Sequence, residues 1–191
     1  VLRKEDKRFI TGKGRYTDDI IEANQAYAAF VRSPHAHARI VSLDTSAALA
    51  MEGVETVLTG PELVADGIGN IICGWGVTSK DGSPMNMGAW SALATEKVRY
   101  VGDAVAIVVA DSKSQAQLAA EAVVVTYEEL PVVVGSVEAL APNAPQIHDN
   151  APGNVIFDWE IGDLAPTEAA LASAAHVTEM EITNNRLAPN P

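Results

Sequence analysis

The sequence predicts an α+β fold whose centre is a β-β-α-β unit present twice. Three observations carry this prediction. Segments of strand length and composition come in two groups, one ahead of residue 60 and one beyond residue 97. Each group holds one helix of ten residues or fewer, short for a doubly wound sheet. Each helix follows an aspartate beside a hydroxyl side chain, the chemistry of a helix start. In the first group Ala26 to Val31 reads as a strand and Ser33-Pro34 breaks it. Ala38 to Leu43 resumes, with Arg39, Val41 and Leu43 on one face and Ile40 on the other. Asp44-Thr45-Ser46 opens a helix over Ala47 to Met51, Gly53 closes it, and Val54 to Leu58 is the returning strand. Gly60-Pro61-Glu62 begins one further helical turn. In the second group Val98 to Val101 and Ala104 to Ala110 are strands joined through Gly102-Asp103. Asp111-Ser112 caps a helix over Lys113 to Ala122, with Leu118 and Ala122 at i, i+4 spacing, and Val123 to Tyr127 closes the unit. The duplication rests on element order and not on identity.

Between the copies, residues 66–96 carry six glycines (67, 69, 74, 76, 82 and 88) together with Trp75, Met85, Met87 and Trp90. A loop of this length is either a partner-facing surface or a meander that its tryptophans pin to their own core. After Pro131 the text changes character: Pro142, Pro145 and Pro152 mark an extended linker. A strand is expected over Asn154 to Glu160, a turn at Gly162-Asp163, and a helix over Pro166 to Ala175 with Pro166 as its first residue. A last strand is expected over Val177 to Thr183, so that the final unit reads as incomplete.

Charge narrows the partners. The chain has 191 residues, 48% of them hydrophobic, and a formal net charge of -12. A chain this size can bury about 70% of its unfolded surface, enough for a real core. The overall field has the wrong sign for binding nucleic acid through phosphate. The longest apolar run, Ala104 to Ala110, is far short of a membrane span. One cysteine, Cys73, and a charged opening from Val1 to Tyr16 fit a cytoplasmic chain without a secretory signal. Residues 1–16 hold six basic side chains against Glu5 and Asp6, a local +4 on a body of -16. That basic leader either docks on its own chain or a neighbouring subunit, or is a solvated tail.

Candidate chemistry is sparse. His35 and His37 at i, i+2 would face one way on a strand, as a metal pair requires, but no third ligand has suitable spacing, and hydrogen-bonded strand histidines are the preferred reading. Cys73 lacks a basic neighbour and reads as buried and inert. Asp18-Asp19 and Glu128-Glu129 are adjacent carboxylates, which a strand sends to opposite faces, so they make poor acid/base pairs. Gly12-Lys13-Gly14 follows no strand and matches neither phosphate-loop nor dinucleotide pattern, and Ser33-Pro34-His35 is no nucleophile elbow. No catalytic, cofactor-binding or metal-ligating residue is therefore expected in the chain.

Several strings together resemble one family. Residues 3–20, Arg3-Lys4-Glu5-Asp6-Lys7-Arg8-Phe9-Ile10-Thr11-Gly12-Lys13-Gly14-Arg15-Tyr16-Thr17-Asp18-Asp19-Ile20, are similar to the opening of the molybdenum hydroxylase large subunits. These are the xanthine dehydrogenase, aldehyde oxidase and bacterial carbon monoxide dehydrogenase type. Phe30-Val31-Arg32-Ser33-Pro34-His35-Ala36-His37-Ala38-Arg39-Ile40, Lys97-Val98-Arg99-Tyr100-Val101-Gly102-Asp103-Ala104-Val105-Ala106, Tyr127-Glu128-Glu129-Leu130-Pro131 and Asn185-Arg186-Leu187-Ala188-Pro189-Asn190-Pro191 resemble its further signatures, in order. One departure is that Gly88-Ala89-Trp90-Ser91-Ala92-Leu93-Ala94 stands where the family usually has a Pro-x-Leu-Ala approach.

The resemblance implies an α/β-hammerhead domain over 15–131, after a leader of 1–14. A linker over 132–144 and the incomplete beginning of a molybdenum-cofactor-binding domain over 145–191 follow. It implies a subunit that oxidises an aldehyde, carbon monoxide or an N-heterocycle with water-derived oxygen, this stretch serving as scaffold and interface. The molybdopterin-type cofactor would sit in the full-length subunit, with none bound to residues 1–191 alone. Iron–sulfur clusters and FAD would sit in a small and a medium partner subunit, in a dimer of heterotrimers. The rival reading is a stand-alone, non-catalytic hammerhead interaction module; a small hydrolase using His35 and His37 is a poorer third.

Overall fold

In the computed structural model, which describes residues 3–88 and 90–182, the chain runs α1 (Asp6–Ile10), β1 (Tyr27–Arg32), β2 (Ala38–Asp44), α2 (Ser46–Leu49), β3 (Val54–Thr59) and α3 (Gly60–Ala65). It continues through β4 (Lys97–Val98), β5 (Ala104–Ala110), α4 (Lys113–Ala122), β6 (Val124–Glu129) and α5 (Leu164–Ser173). Two copies of β-β-α-β are present as expected, but neither builds a sheet of its own. One sheet has the order β1-β5-β3 and the other β4-β2-β6, every neighbouring pair antiparallel. The middle strand of each copy is thus held between the two outer strands of the other.

Strand β5 explains how the layers stack. An unbroken apolar run suits a strand covered on both faces. Ala106 and Val108 meet Ala48 of α2, Val57 of β3 and Ala119 of α4 on one side. Val105, pointing the other way, meets Ala38 of β2, Val98 of β4 and Ala94. Helices, first sheet and second sheet therefore form three layers around one strand. Small residues at the contacts (Ala48, Ala106, Ala116, Ala119) let α2 and α4 approach closely. Helix α4 starts where Ser112 Oγ accepts the Gln115 N–H at 3.3 Å, and Asp44 Oδ1 accepts the Ser46 N–H at 2.9 Å beside α2. Asp111, the expected equivalent of Asp44, instead donates its backbone N–H to Gly53 O at 2.9 Å, which ties the two copies' turns together.

Several expectations are corrected. The strand expected over Val98 to Val101 stops at Val98, because Tyr100 to Asp103 is a turn with Gly102 at φ +93. The Asp103 N–H donates to Tyr100 O, and the Asp103 carboxylate accepts the Arg99 N–H at 3.0 Å, so the backbone groups a strand would use are already satisfied. The strand expected over Asn154 to Glu160 is not regular: Pro152–Asn154 is a 3-10 turn, and residues 156–158 bond to a loop rather than to a sheet. Residues 177–182 form no strand, no partner strand being present among the described residues; Thr183 and the signature at 185–191 lie outside them. Helix α5 begins at Leu164, two residues before Pro166, which occupies the third position, where a backbone N–H has no intrahelical acceptor anyway. The leader forms the short exposed α1; near its end Asp18 Oδ2 meets Lys113 Nζ at 2.9 Å, both ends of that pair exposed.

Helix α3 opens on a capping box: Glu62 Oε2 accepts from Thr59 N–H and Thr59 Oγ1, each at 2.8 Å. Its first residue, Gly60, is buried against the Leu93–Ala94 backbone, and Ala94 N–H donates to Ala104 O at 2.7 Å. The segment that departs from the family's Pro-x-Leu-Ala text is therefore anchored by Leu93 and Ala94, both buried. A Cβ at Gly60 would stand 2.4 Å from Ala94 O, and backbone must move to admit it. Gly60→Ala should cost about 1–3 kcal/mol in urea unfolding. Gly74→Ala, where a Cβ meets open space, should stay within about 0.5 kcal/mol.

Candidate interaction surface

The sequence's candidate catalytic groups do not converge. His35 and His37 lie in the connection between β1 and β2, not on a strand, so the alternation that would align them does not apply. His35 tilts against Tyr127, ring centroids 4.9 Å apart, with its Nδ1 3.6 Å from Glu129. His37, only 7% exposed, donates from Nδ1 to Pro131 O at 2.7 Å, and its Nε2 has no hydrogen-bond partner among the described residues. Both rings thus fasten the turn to the end of β6. Glu128 turns the other way and meets Arg39 Nε at 3.0 Å, so the adjacent carboxylates diverge as expected. Asp19 accepts the Tyr16 N–H at 2.9 Å, while Asp18 is held below the usual carboxylate range by its hydrogen bond to Lys113. Cys73 is exposed, not buried, its thiol donating to Trp75 O at 3.1 Å; the apolar run around it finds no core.

What the fold does assemble is a surface, from the long loop and the segment after the linker. The loop folds back at a turn with Gly82 at φ +85, where Ser79 N–H donates to Ser83 O and Met85 N–H to Val77 O. Residues 156–158 then run alongside: Asn86 N–H donates to Ile156 O, Lys80 N–H to Asp158 O, and Asp158 N–H to Ser79 Oγ at 3.2 Å. Lys80 Nζ meets Asp158 Oδ2 at 2.8 Å, which holds the lysine's pKa above its ordinary value. Asn154 fixes the entry to this segment. Its backbone sits at φ +59, which asparagine tolerates, and its Oδ1 accepts the Ile147 N–H. Its Nδ2 donates to Ala139 O and Pro145 O.

A second fastening lies where the loop meets β4. Trp90 is stacked between Tyr100 and His148, with centroid distances of 6.4 and 6.0 Å. Lys97 Nζ reaches Asp149 Oδ1 at 2.9 Å and Arg99 Nη2 reaches Oδ2 at 3.6 Å. The Lys97 hydrogen bond and charge, with Arg99 behind them, hold the Asp149 carboxyl below its usual range. Burial pushes the Tyr100 hydroxyl up and holds the His148 imidazole down, with Arg99 adding to the latter. Lys97 lies on β4 and Arg99 just beyond it; that Asp149 and His148 would meet them was not legible, since nothing local marks them.

Between these fastenings lies an open groove of about 450 Å³, lined by Ile71, Ile72, Cys73, Met85, Met87 and Ile156 with asparagines and His148 at its margin. Ile72 is 88% exposed, Trp75 75% and Trp90 50%. Trp75 therefore packs on no core and Trp90 fastens only the loop's end to Tyr100 and His148, and the partner-facing reading is the one the geometry favours for the rest. Among the described residues no three metal-ligating side chains gather. The groove offers no cationic side chain to a phosphate, so these residues do not fit a molybdenum pterin. No helix among the described residues is long and apolar enough to cross a membrane.

Comparison with known proteins adds the family context. The model of the aldehyde oxidase and xanthine dehydrogenase a/b hammerhead domain matches residues 11–131. The carbon monoxide dehydrogenase large chain of Hydrogenophaga pseudoflava is 39% identical over 98% of this chain and 24% of its own length. Reconstituted CO dehydrogenase from Oligotropha carboxidovorans superposes with a TM-score of 0.66 at 37% identity, covering 92% of this chain and 22% of that one. Quinoline 2-oxidoreductase from Pseudomonas putida 86 superposes at 0.68, again with 37% identity, covering 92% and 21%. The chain spans about a quarter of the length of the relatives it matches.

The His148 environment makes a pH prediction. With the folded-state pKa below the ordinary 6.5, the unfolded chain takes up the proton first as pH falls. The stability that neutral His148 contributes is complete above 6.5, then declines with acidification until the folded-state pKa is reached. His148→Phe keeps a ring against Trp90 and removes the titration. Thermal unfolding between pH 8 and 5 should show the wild type losing more Tm than the variant; equal losses would contradict the assignment.

Proposed function

Because the chain belongs to the aldehyde oxidase and xanthine dehydrogenase family through its a/b hammerhead domain, we propose that it is the N-terminal portion of a molybdopterin-dependent oxidoreductase large subunit. The observation that carries this is the match to the carbon monoxide dehydrogenase large chain over 98% of the residues, well past the hammerhead itself. In this reading residues 15–131 are the hammerhead, 132–144 a linker, and 145–191 the first elements of the cofactor-binding region.

The complete subunit would oxidise an aldehyde, carbon monoxide or an N-heterocyclic carbon, with oxygen drawn from water. Electrons would leave to iron–sulfur clusters and FAD in separate subunits of a cytoplasmic dimer of heterotrimers. A bound molybdopterin cofactor supplies the redox chemistry, as the protein supplies position and electrostatics. The residues described here contribute scaffold: two interlocked sheets, and a surface whose apolar side chains lack cover.

The test is elemental analysis of the full-length protein purified with its partner subunits, alongside residues 1–191 expressed alone. About one molybdenum per full-length chain, with dye-coupled turnover of an aldehyde, carbon monoxide or an N-heterocycle, is the expected outcome. Residues 1–191 alone should hold no molybdenum. A full-length protein free of molybdenum would overturn the assignment.

A further inference from the structure

We propose that Asp66 is a site of spontaneous backbone rearrangement, its chain linkage passing from the α- to the β-carboxyl group, and that Ser83 guards Asp81 from the same change. Neither step depends on the reaction the complete protein performs.

Aspartate followed by glycine is where this chemistry runs most readily, because no side chain on the second residue shields its backbone nitrogen. The sequence has two such steps, Asp66-Gly67 and Asp81-Gly82, and no Asn-Gly. The glycine nitrogen attacks Cγ of the protonated carboxyl group. A C–N bond forms, the carboxyl hydroxyl departs with the amide hydrogen as water, and a five-membered succinimide closes. Water then opens the ring. Cleavage on the side of the α-carbonyl leaves the chain running through the β-carbonyl, with the α-carboxylate free. One water is lost and one regained, so no oxidant, reductant or other co-reactant is needed.

The backbone treats the two steps alike. Gly67 has φ +78 and Gly82 φ +85, and a Cβ on either would meet nothing within 4 Å, so neither glycine is crowded. Each glycine N–H closes a turn, Gly67 to Val64 O at 3.0 Å and Gly82 to Ser79 O at 2.8 Å. Both aspartates are exposed.

The carboxylates differ. Asp81 Oδ1 accepts the Ser83 N–H at 2.9 Å and the Ser83 hydroxyl at 2.6 Å, the side-chain turn that aspartate favours. These bonds fix a side chain that must turn onto the Gly82 nitrogen to react. They also hold the Asp81 carboxyl below its usual range, so its protonated, reactive form is rarer. Asp66 ends α3, and its carboxylate has no hydrogen bond or ion pair among the described residues. Nothing there restrains it from the Gly67 nitrogen.

Placement gives the difference a consequence, since a β-linkage adds one methylene to the main chain. At Asp81 it would fall in the hairpin tip, next to the Lys80 N–H bond to Asp158 O that fastens residues 156–158. At Asp66 it falls where the chain leaves α3, just before the Ile68 N–H bond to Leu63 O. The step that holds the later segment is the one kept closed, and the start of the long loop carries the change.

The test holds the full-length protein at neutral pH for weeks, folded and, separately, unfolded in urea. After digestion, α- and β-linked peptides at both positions are separated and assigned by electron-transfer mass spectrometry. In the folded protein β-linkage should accumulate about tenfold faster at Asp66 than at Asp81, and in urea at about the same rate at both. Ser83→Ala should speed the folded Asp81 reaction several-fold and leave Asp66 unchanged, whereas Ser83→Thr, which keeps the hydroxyl, should leave both unchanged. An Asp66 that stays α-linked in the folded protein overturns the site. Equal folded rates at the two steps, or no effect of Ser83→Ala on Asp81, overturn the guard. The wild-type ratio decides even where Ser83→Ala does not fold.

Discussion

The exchange of middle strands is the constraint on which the rest of this structure depends. Strand β5 completes a sheet only between β1 and β3, and β2 only between β4 and β6. Backbone N–H and C=O groups removed from water must find partners, so neither copy can bury its middle strand without the other. The apolar contacts repeat the dependence. Val108 and Ala106 of the second copy pack on Ala48 and Val57 of the first, and Ala38 of the first packs on Val98 of the second. The duplication is a requirement of the core, since it places a strand from each copy at the centre of the other copy's sheet.

From that interlock follows the long connection. The chain leaving β3 on one sheet must return to β4 on the edge of the other, and residues 66–96 make that passage over the outside of the molecule. Gly60 and Ala94 touch at its two ends, which clamps where the loop starts and finishes. What lies between is free to build a surface, and residues 145–158 fold onto it through the Lys80 and Asn86 bonds to Asp158 and Ile156 and the Trp90–His148 stack, beside the Lys97/Arg99–Asp149 pairs. The region that follows the hammerhead is thus joined to it by side-chain bonds as well as by the peptide chain.

How much of this the sequence reveals depends on whether a signal is local. Alternation, caps and turn glycines act over a few residues, so the order of β1 to β6, the ends of α4 and the turn at Gly102-Asp103 were legible. Strand partnership was not, because an apolar run such as Ala104–Ala110 announces burial on both faces without saying between which strands. The strands expected over 154–160 and 177–183 had the right alternation, but a strand also needs a neighbour, and alternation is silent on that. Cys73 was expected inside because no basic neighbour marks it as reactive, a signal that says nothing of burial; it faces outward on a surface that nothing described covers. His35 and His37 had the spacing of a metal pair only if the backbone there were extended, and Ser33-Pro34 had already broken it. The strings of family resemblance did reach the family, which composition and spacing alone would not have done.

The interlock is tested most directly by dividing the chain at the hairpin tip, between Asp81 and Gly82, so that each piece carries one β-β-α-β copy. Far-ultraviolet circular dichroism of residues 1–81 and 82–191 separately and mixed is the measurement. With the middle strands exchanged, each piece alone lacks the sheet signal, and equimolar mixing restores it in a one-to-one complex. A piece that folds cooperatively alone, with sheet content unchanged on mixing, would show that a single copy completes its own sheet and that the strands need no exchange.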